Sequence, residues 1–141
     1  MPDHKAIYNR EADNYERLVS REDHQENILK AIRQVIDPAN LDVIELGAGT
    51  GRLTCMLAPL ARSITAYDSA AAMLEVAKGR LAAMGLQNWH AEVADHRQLP
   101  AADGCADLAI SGWSICYLVD WNRADWKLEL SKGLAEMARV V

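Results

Sequence analysis

The chain has 141 residues, half of them apolar, which is enough for one globular domain with its own core. Its 15 basic and 20 acidic side chains leave a net charge of -5, and no polybasic run is present, so a nonspecific nucleic-acid surface is not expected. Three cysteines, Cys55, Cys105 and Cys116, are odd in number and lack C-x-x-C spacing, which argues against both a disulfide framework and a metal site. No apolar run reaches the length of a membrane span and Met1 to Lys5 carries no apolar leader, so reduced thiols in a cytoplasmic protein are expected, with no membrane partner.

Taken in chain order, residues 4–19 place Ile7, Tyr8, Ala12, Tyr15 and Leu18 at roughly helical spacing, and 22–36 place Ile28, Leu29, Ile32, Val35 and Ile36 on one helical face, with Pro38 marking the end. A buried-strand pattern follows over 42–46. The spacing then predicts a helix over 52–61, loosened by Pro59, a strand over 63–67, and a helix over 70–84 that Gly85 stops. Strands are predicted over 88–93 and 106–111. A last helix over 122–141 puts Trp126, Leu130, Leu134, Met137 and Val141 on one face. Strands alternating with helices imply an α/β fold, a parallel sheet with right-handed crossovers, and a ligand site outside the carboxyl ends of the strands. Residues 1–38 read as an N-terminal helical cap and 39–141 as the α/β unit.

The run Glu45-Leu46-Gly47-Ala48-Gly49-Thr50-Gly51 ends the first strand in an acid and three alternating glycines. Glycines two apart let the chain turn sharply and leave room for a ligand against bare backbone. A dinucleotide fingerprint, G-x-G-x-x-G, would need glycine where Arg52 stands, and no G-x-x-x-x-G-K-[ST] phosphate loop occurs. The second strand ends in Asp68, roughly 20 residues past the loop, where a carboxylate reaches ribose hydroxyls in a Rossmann-like unit. A carboxylate accepts hydrogen bonds from two vicinal hydroxyls, each strengthened by its charge. The alternative for Asp68 is a cap on the following helix. For the glycines it is a turn serving only packing. Asp107, at the start of the fourth strand, reads as structural.

With Ala94-Asp95-His96-Arg97-Gln98-Leu99-Pro100 after the third strand, the E-x-G-x-G-x-G loop and Asp68 resemble the class I S-adenosylmethionine-dependent methyltransferases, in the family's order over most of residues 40–112. The small-molecule and quinone-type branch is the nearest in pattern. The resemblance implies a Rossmann-like doubly wound sheet and S-adenosyl-L-methionine as cofactor. It implies cofactor contacts at Glu45, Gly47, Ala48, Gly49, Gly51, Asp68, Ser69, Met73 and Ser111. Asp95 would bond the adenine amino group, with the His96 backbone beside the ring, and Tyr8 and Tyr15 would lie over the cofactor on the N-terminal helix. Simple packing of that helix is the other reading of the two tyrosines. Trp113 falls where the family lines its methyl-transfer channel. The Asn/Asp-Pro-Pro-aromatic segment of enzymes that methylate nucleic-acid amino groups is absent, so a small-molecule acceptor is expected.

Methyl transfer from a sulfonium needs no protein nucleophile, and the sequence names no catalytic residue. Two other functions remain compatible with the loop: a binding module or partner subunit without chemistry, and an NAD(P)-dependent oxidoreductase, which Arg52 disfavours. Of the family's seven strands the sequence supplies four, so the resemblance implies a fragment or a short form. The fourth strand would then carry an open edge, and self-association through it is expected.

Overall fold

The structure, a computed structural model, describes residues 11–141. Two helices come first, α1 over Ala12–Val19 and α2 over Asn27–Val35. The sheet unit then runs β1 (Asp42–Leu46), α3 (Arg52–Leu57), β2 (Ser63–Asp68), α4 (Ala71–Ala83), β3 (Trp89–Val93) and β4 (Leu108–Ile110), followed by α5 (Tyr117–Trp121) and α6 (Trp126–Val140). All strand pairs are parallel and the sheet order is β3-β2-β1-β4. The topology reverses between β1 and β4. That places the crevice of this α/β fold at the carboxyl end of β1.

Period-two alternation along β1 builds the two halves of the core. Val43 packs on one face with Leu53 and Leu57 of α3, Ile64 and Leu81; Ile44 and Leu46 pack on the other with Tyr67, Leu99 and Val140. With both faces covered, the strand has no polar face to show water, and its apolar run follows from that.

The expected elements are all present among the described residues, with three differences of physical interest. The second helix starts at Asn27 rather than near 22, because the Asp23 carboxylate accepts the N–H groups of Asn27 at 2.8 Å and Ile28 at 3.1 Å and so opens the helix there. Only Ile28, Leu29 and Ile32 reach the core from it; Val35 is 88% exposed. The last helix buries a face one residue away from the expected one. Gly133 and Val140 are buried while Leu134 is 51% exposed, because Glu129 and Glu136 face inward to partners on the loop after β3. Third, α5 was not expected from spacing. Its Leu118 packs so closely on α6 that a Cβ at Gly133 would lie 2.7 Å from Leu118 Cδ1. Asp107 is structural: its Oδ2 accepts the Asp42 N–H at 2.8 Å and an Arg62 N–H at 3.0 Å.

Candidate functional site

The loop after β1 needs glycine at each of its three positions for a different reason. Gly47, Gly49 and Gly51 have φ of 71°, 57° and 86°, in the left-handed region. A Cβ on Gly47 would lie 2.1 Å from Ser114 Cβ, so this glycine admits the segment after β4. One on Gly51 would lie 3.0 Å from Ala77 Cβ, so this glycine admits α4. At Gly49 a Cβ would meet nothing within 4 Å, and the space beside it belongs to a cleft of about 280 Å³.

Asp68 lines the same cleft beside Gly49. Its Oδ2 accepts the Gly49 N–H at 2.8 Å and its Oδ1 accepts the Ala70 N–H at 2.8 Å. One carboxylate therefore fixes the tip of the glycine loop and the turn into α4 while lining the cleft. The loop is held from below as well, since Gly47 and Ala48 both donate to the Tyr67 carbonyl at 2.7 and 3.0 Å. Behind it Glu45 is 2% exposed and accepts the Thr54 hydroxyl at 2.5 Å. Burial pushes its carboxyl up to about 7, against the lowering effect of Thr54 and with a smaller raising contribution from the Asp68 charge.

Of the residues singled out in the sequence, the cleft gathers Tyr15, Glu45, Gly47, Ala48, Gly49, Asp68, Ser69, His96 and Trp113. Four others are not on its lining. Gly51 packs under the loop, and Met73 is fully buried with Ala12 and Ala70. Ser111 bonds Ser114 at 2.6 Å. Asp95 is bound by Arg97, whose backbone N–H and side-chain Nε reach Oδ1 at 2.8 and 2.7 Å and whose Nη2 reaches Oδ2 at 2.6 Å. Tyr8 lies outside the described residues.

Several lining residues carry no sequence signal that would have found them. Ser114 is one: its hydroxyl lies 2.8 Å from the Leu46 carbonyl and 3.0 Å from His96 Nε2. Tyr117 and Trp121, stacked with centroids 5.0 Å apart, come from the unexpected α5. Arg52 also faces the cleft, with its guanidinium 4.3 Å over the Trp113 ring and paired to Glu22 at 2.9 Å. Thr50 donates to Glu16 Oε2 of α1 at 2.5 Å, and Arg80 of α4 joins them at 2.9 Å to the same oxygen and 2.9 Å to the Thr50 carbonyl. That trio latches α1, which brings Tyr15 and Val19, onto the glycine loop. Glu16 and Arg80 are far apart in sequence, so only the fold reveals their pairing.

Residues 43–141 match the family described as Methyltransferase domain. Among curated proteins, phosphoethanolamine N-methyltransferase 1 of Caenorhabditis elegans is 33% identical over 81 residues, covering 57% of this chain and 17% of that protein. A solved structure of a putative S-adenosyl-L-methionine-dependent methyltransferase from Methanococcus maripaludis superposes with a TM-score of 0.76 at 23% identity, over 92% of this chain and 57% of that one. Phosphoethanolamine N-methyltransferase 1 of Haemonchus contortus, solved with phosphoethanolamine and S-adenosylhomocysteine, superposes with a TM-score of 0.60 at 22% identity, over 94% of this chain and 30% of that one. The chain thus spans about a sixth of the curated relative's length and between 30% and 57% of these solved chains. Since the family match runs from the first strand to the last helix and contains the glycine loop, Asp68 and the switch point between β1 and β4, the chain belongs to the Methyltransferase domain family and has its class I fold.

Proposed function

We propose that the chain binds S-adenosyl-L-methionine in the cleft at the end of β1 and transfers its methyl group to a small-molecule acceptor in the cytoplasm. The observation that carries this reading is the pairing of Gly49, whose missing side chain leaves open space, with the Asp68 carboxylate beside it in the same cleft. The donor set suits a cofactor with ribose hydroxyls: Asp68 offers a charged acceptor at the cleft wall, and the glycine loop offers bare backbone. When bound, this cofactor supplies a methyl group on a sulfonium with its leaving group already built in.

The residues of the chain then have three tasks. Asp68 and the glycine loop hold and orient. Tyr15 and Val19, brought by α1, narrow the cleft and exclude water. The segment after β4 presents Trp113 and Ser114 where an acceptor would approach. Alignment of this kind is worth roughly 7 to 11 kcal/mol of a barrier. A small acceptor is supported by the size of the cleft and by the phosphoethanolamine named for the curated relative.

Calorimetry with S-adenosylmethionine, S-adenosylhomocysteine and NAD tests the reading. Binding of the two sulfur compounds and not NAD is expected, and response to NAD alone overturns it. Asp68→Ala should weaken that binding by about 1.5 to 3 kcal/mol, roughly ten- to over a hundredfold. Binding without methyl transfer to any small acceptor, in this chain and in a longer one, would make it a binding module.

A further inference from the structure

The hydroxyl of Ser114 lies within hydrogen-bond distance of three groups: the Leu46 carbonyl at 2.8 Å, the Ser111 hydroxyl at 2.6 Å and His96 Nε2 at 3.0 Å. A hydroxyl has one proton and two lone pairs. The carbonyl can only accept, so it takes the one Ser114 proton. Both remaining partners must then donate to Ser114, Ser111 through its own hydroxyl and His96 through Nε2–H. This arrangement fixes the tautomer of His96 and leaves Nδ1 with its lone pair. Nδ1 has no hydrogen-bond partner among the described residues, and among them the only side-chain atom sealed away without one is Asn88 Oδ1. The ring itself lines the cleft.

We propose that His96 Nδ1 is the proton acceptor of this cleft and that the methyl acceptor is an aromatic hydroxyl compound. The second half rests on the methyl-transfer reading above and on what else lines the cleft: the indole of Trp113, and the stacked Tyr117 and Trp121, offer flat apolar faces to a planar ring. Arg52, over Trp113 and paired to Glu22, brings a guanidinium to the same wall. Burial holds the imidazole below the ordinary histidine pKa. The Asp68 and Asp95 charges raise it and the Arg97 charge lowers it further. Glu45 and Arg52 are the other ionisable groups on the cleft walls, apart from Tyr15 and Tyr117. The imidazole is therefore neutral near pH 7 and able to accept.

The step balances simply. The acceptor's O–H proton goes to Nδ1 and its bonding pair stays on oxygen. That oxygen forms the bond to the methyl carbon as the carbon–sulfur bond breaks with its pair going to sulfur, and the imidazolium later loses the proton to water. Without such a base a phenol oxygen near neutral pH is a poor nucleophile.

The test uses S-adenosylhomocysteine at saturation, so that no turnover occurs, and 4-nitrophenol as the probe, since its anion is yellow and its neutral form is not. At a pH below the probe's own pKa, the parent protein should bind it as the anion. His96→Gln, whose amide N–H can still donate to Ser114, should hold the probe in its neutral form when calorimetry shows it saturated with S-adenosylhomocysteine. Nitrogen-coupled NMR of the imidazole should show Nε2–H in the parent. A Nδ1–H tautomer, the same probe spectrum in both proteins, or no binding of the probe to a protein that binds S-adenosylhomocysteine overturns the proposal. Failure to bind S-adenosylhomocysteine overturns the methyl-transfer reading instead.

Discussion

At the scale of single residues, Gly47 and Gly49 separate folding from binding although they are two positions apart. Alanine at Gly47 would put a Cβ 2.1 Å from Ser114 Cβ on a backbone at φ 71°. The expected cost is about 2 to 4 kcal/mol of stability, from strain and overpacking together. Alanine at Gly49 meets nothing within 4 Å, so it should cost only the left-handed backbone, about 1 kcal/mol, while losing most affinity for S-adenosylhomocysteine. Thermal melts and calorimetry on both variants check the pair. Glu45 gives the pH dependence. Its carboxyl is raised from the ordinary 4.5 to about 7 by burial, so between those values the native state holds a proton that the unfolded chain has released. Stability contributed by this group is therefore full below about pH 4.5 and lost as pH rises through about 7, by an amount on the order of 3 kcal/mol. Urea unfolding of the parent from pH 5 to 8 should show the decline, and Glu45→Gln should flatten it.

The residue scale also shows what a sequence can state. The glycine loop and Asp68 were legible because backbone geometry demands particular residue types at fixed spacing. The reading of Asp68 as either a cap or a ligand acid posed a choice the fold does not force, since one carboxylate binds the Ala70 and Gly49 N–H groups and still lines the cleft. Ser114 and Glu16 were illegible because their partners come from distant segments.

Among the elements, β1 was read to the residue, since a strand buried on both faces has few ways to end other than at a loop of glycines. The last helix was read in kind but not in orientation. Periodicity counts apolar side chains, and here two carboxylates belong to the inward face. Glu136 Oε2 accepts the Leu99 N–H at 2.7 Å and an Arg139 N–H at 2.8 Å, and Arg139 in turn donates to the carbonyls of Ala101 and Leu99. These bonds hold the Arg139 side and keep the Glu136 carboxyl below the usual carboxylate range. Glu136→Ala should lose about 1 to 3 kcal/mol, because the Leu99 N–H and the guanidinium lose their shared acceptor. Leu134→Ala, on the expected but exposed face, should change stability far less. Chemical denaturation of the two variants side by side decides between the faces.

For the whole molecule, the sheet has β4 at one border, paired to β1 on one side and, among the described residues, to no strand on the other. Three half-buried residues, Leu108, Ala109 and Ile110, form that border. Unpaired N–H and C=O groups along an apolar edge favour pairing with another chain. The 141-residue chain is expected to sediment above its monomer mass of 15.6 kDa, with Ala109→Pro returning it to the monomer. A monomer at every concentration, with slow amide exchange at Ala109 and Ile110, would contradict this. No helix among the described residues is long and apolar enough to cross a membrane.

The carboxylate of Glu16 is shared between the Thr50 hydroxyl in the glycine loop and Arg80 on α4. Opening of α1 is for that reason expected to loosen the loop as well. Thermodynamic reciprocity then sets a bookkeeping between distant places: a ligand in the cleft favours the closed position of α1 by the same factor by which closing α1 raises affinity for that ligand. Amide exchange along α1, read at Glu16 to Val19, becomes a gauge of cleft occupancy that touches no ligand. Glu16→Gln, which keeps an oxygen for Thr50 but drops the charge that Arg80 needs, should uncouple the gauge from what it measures.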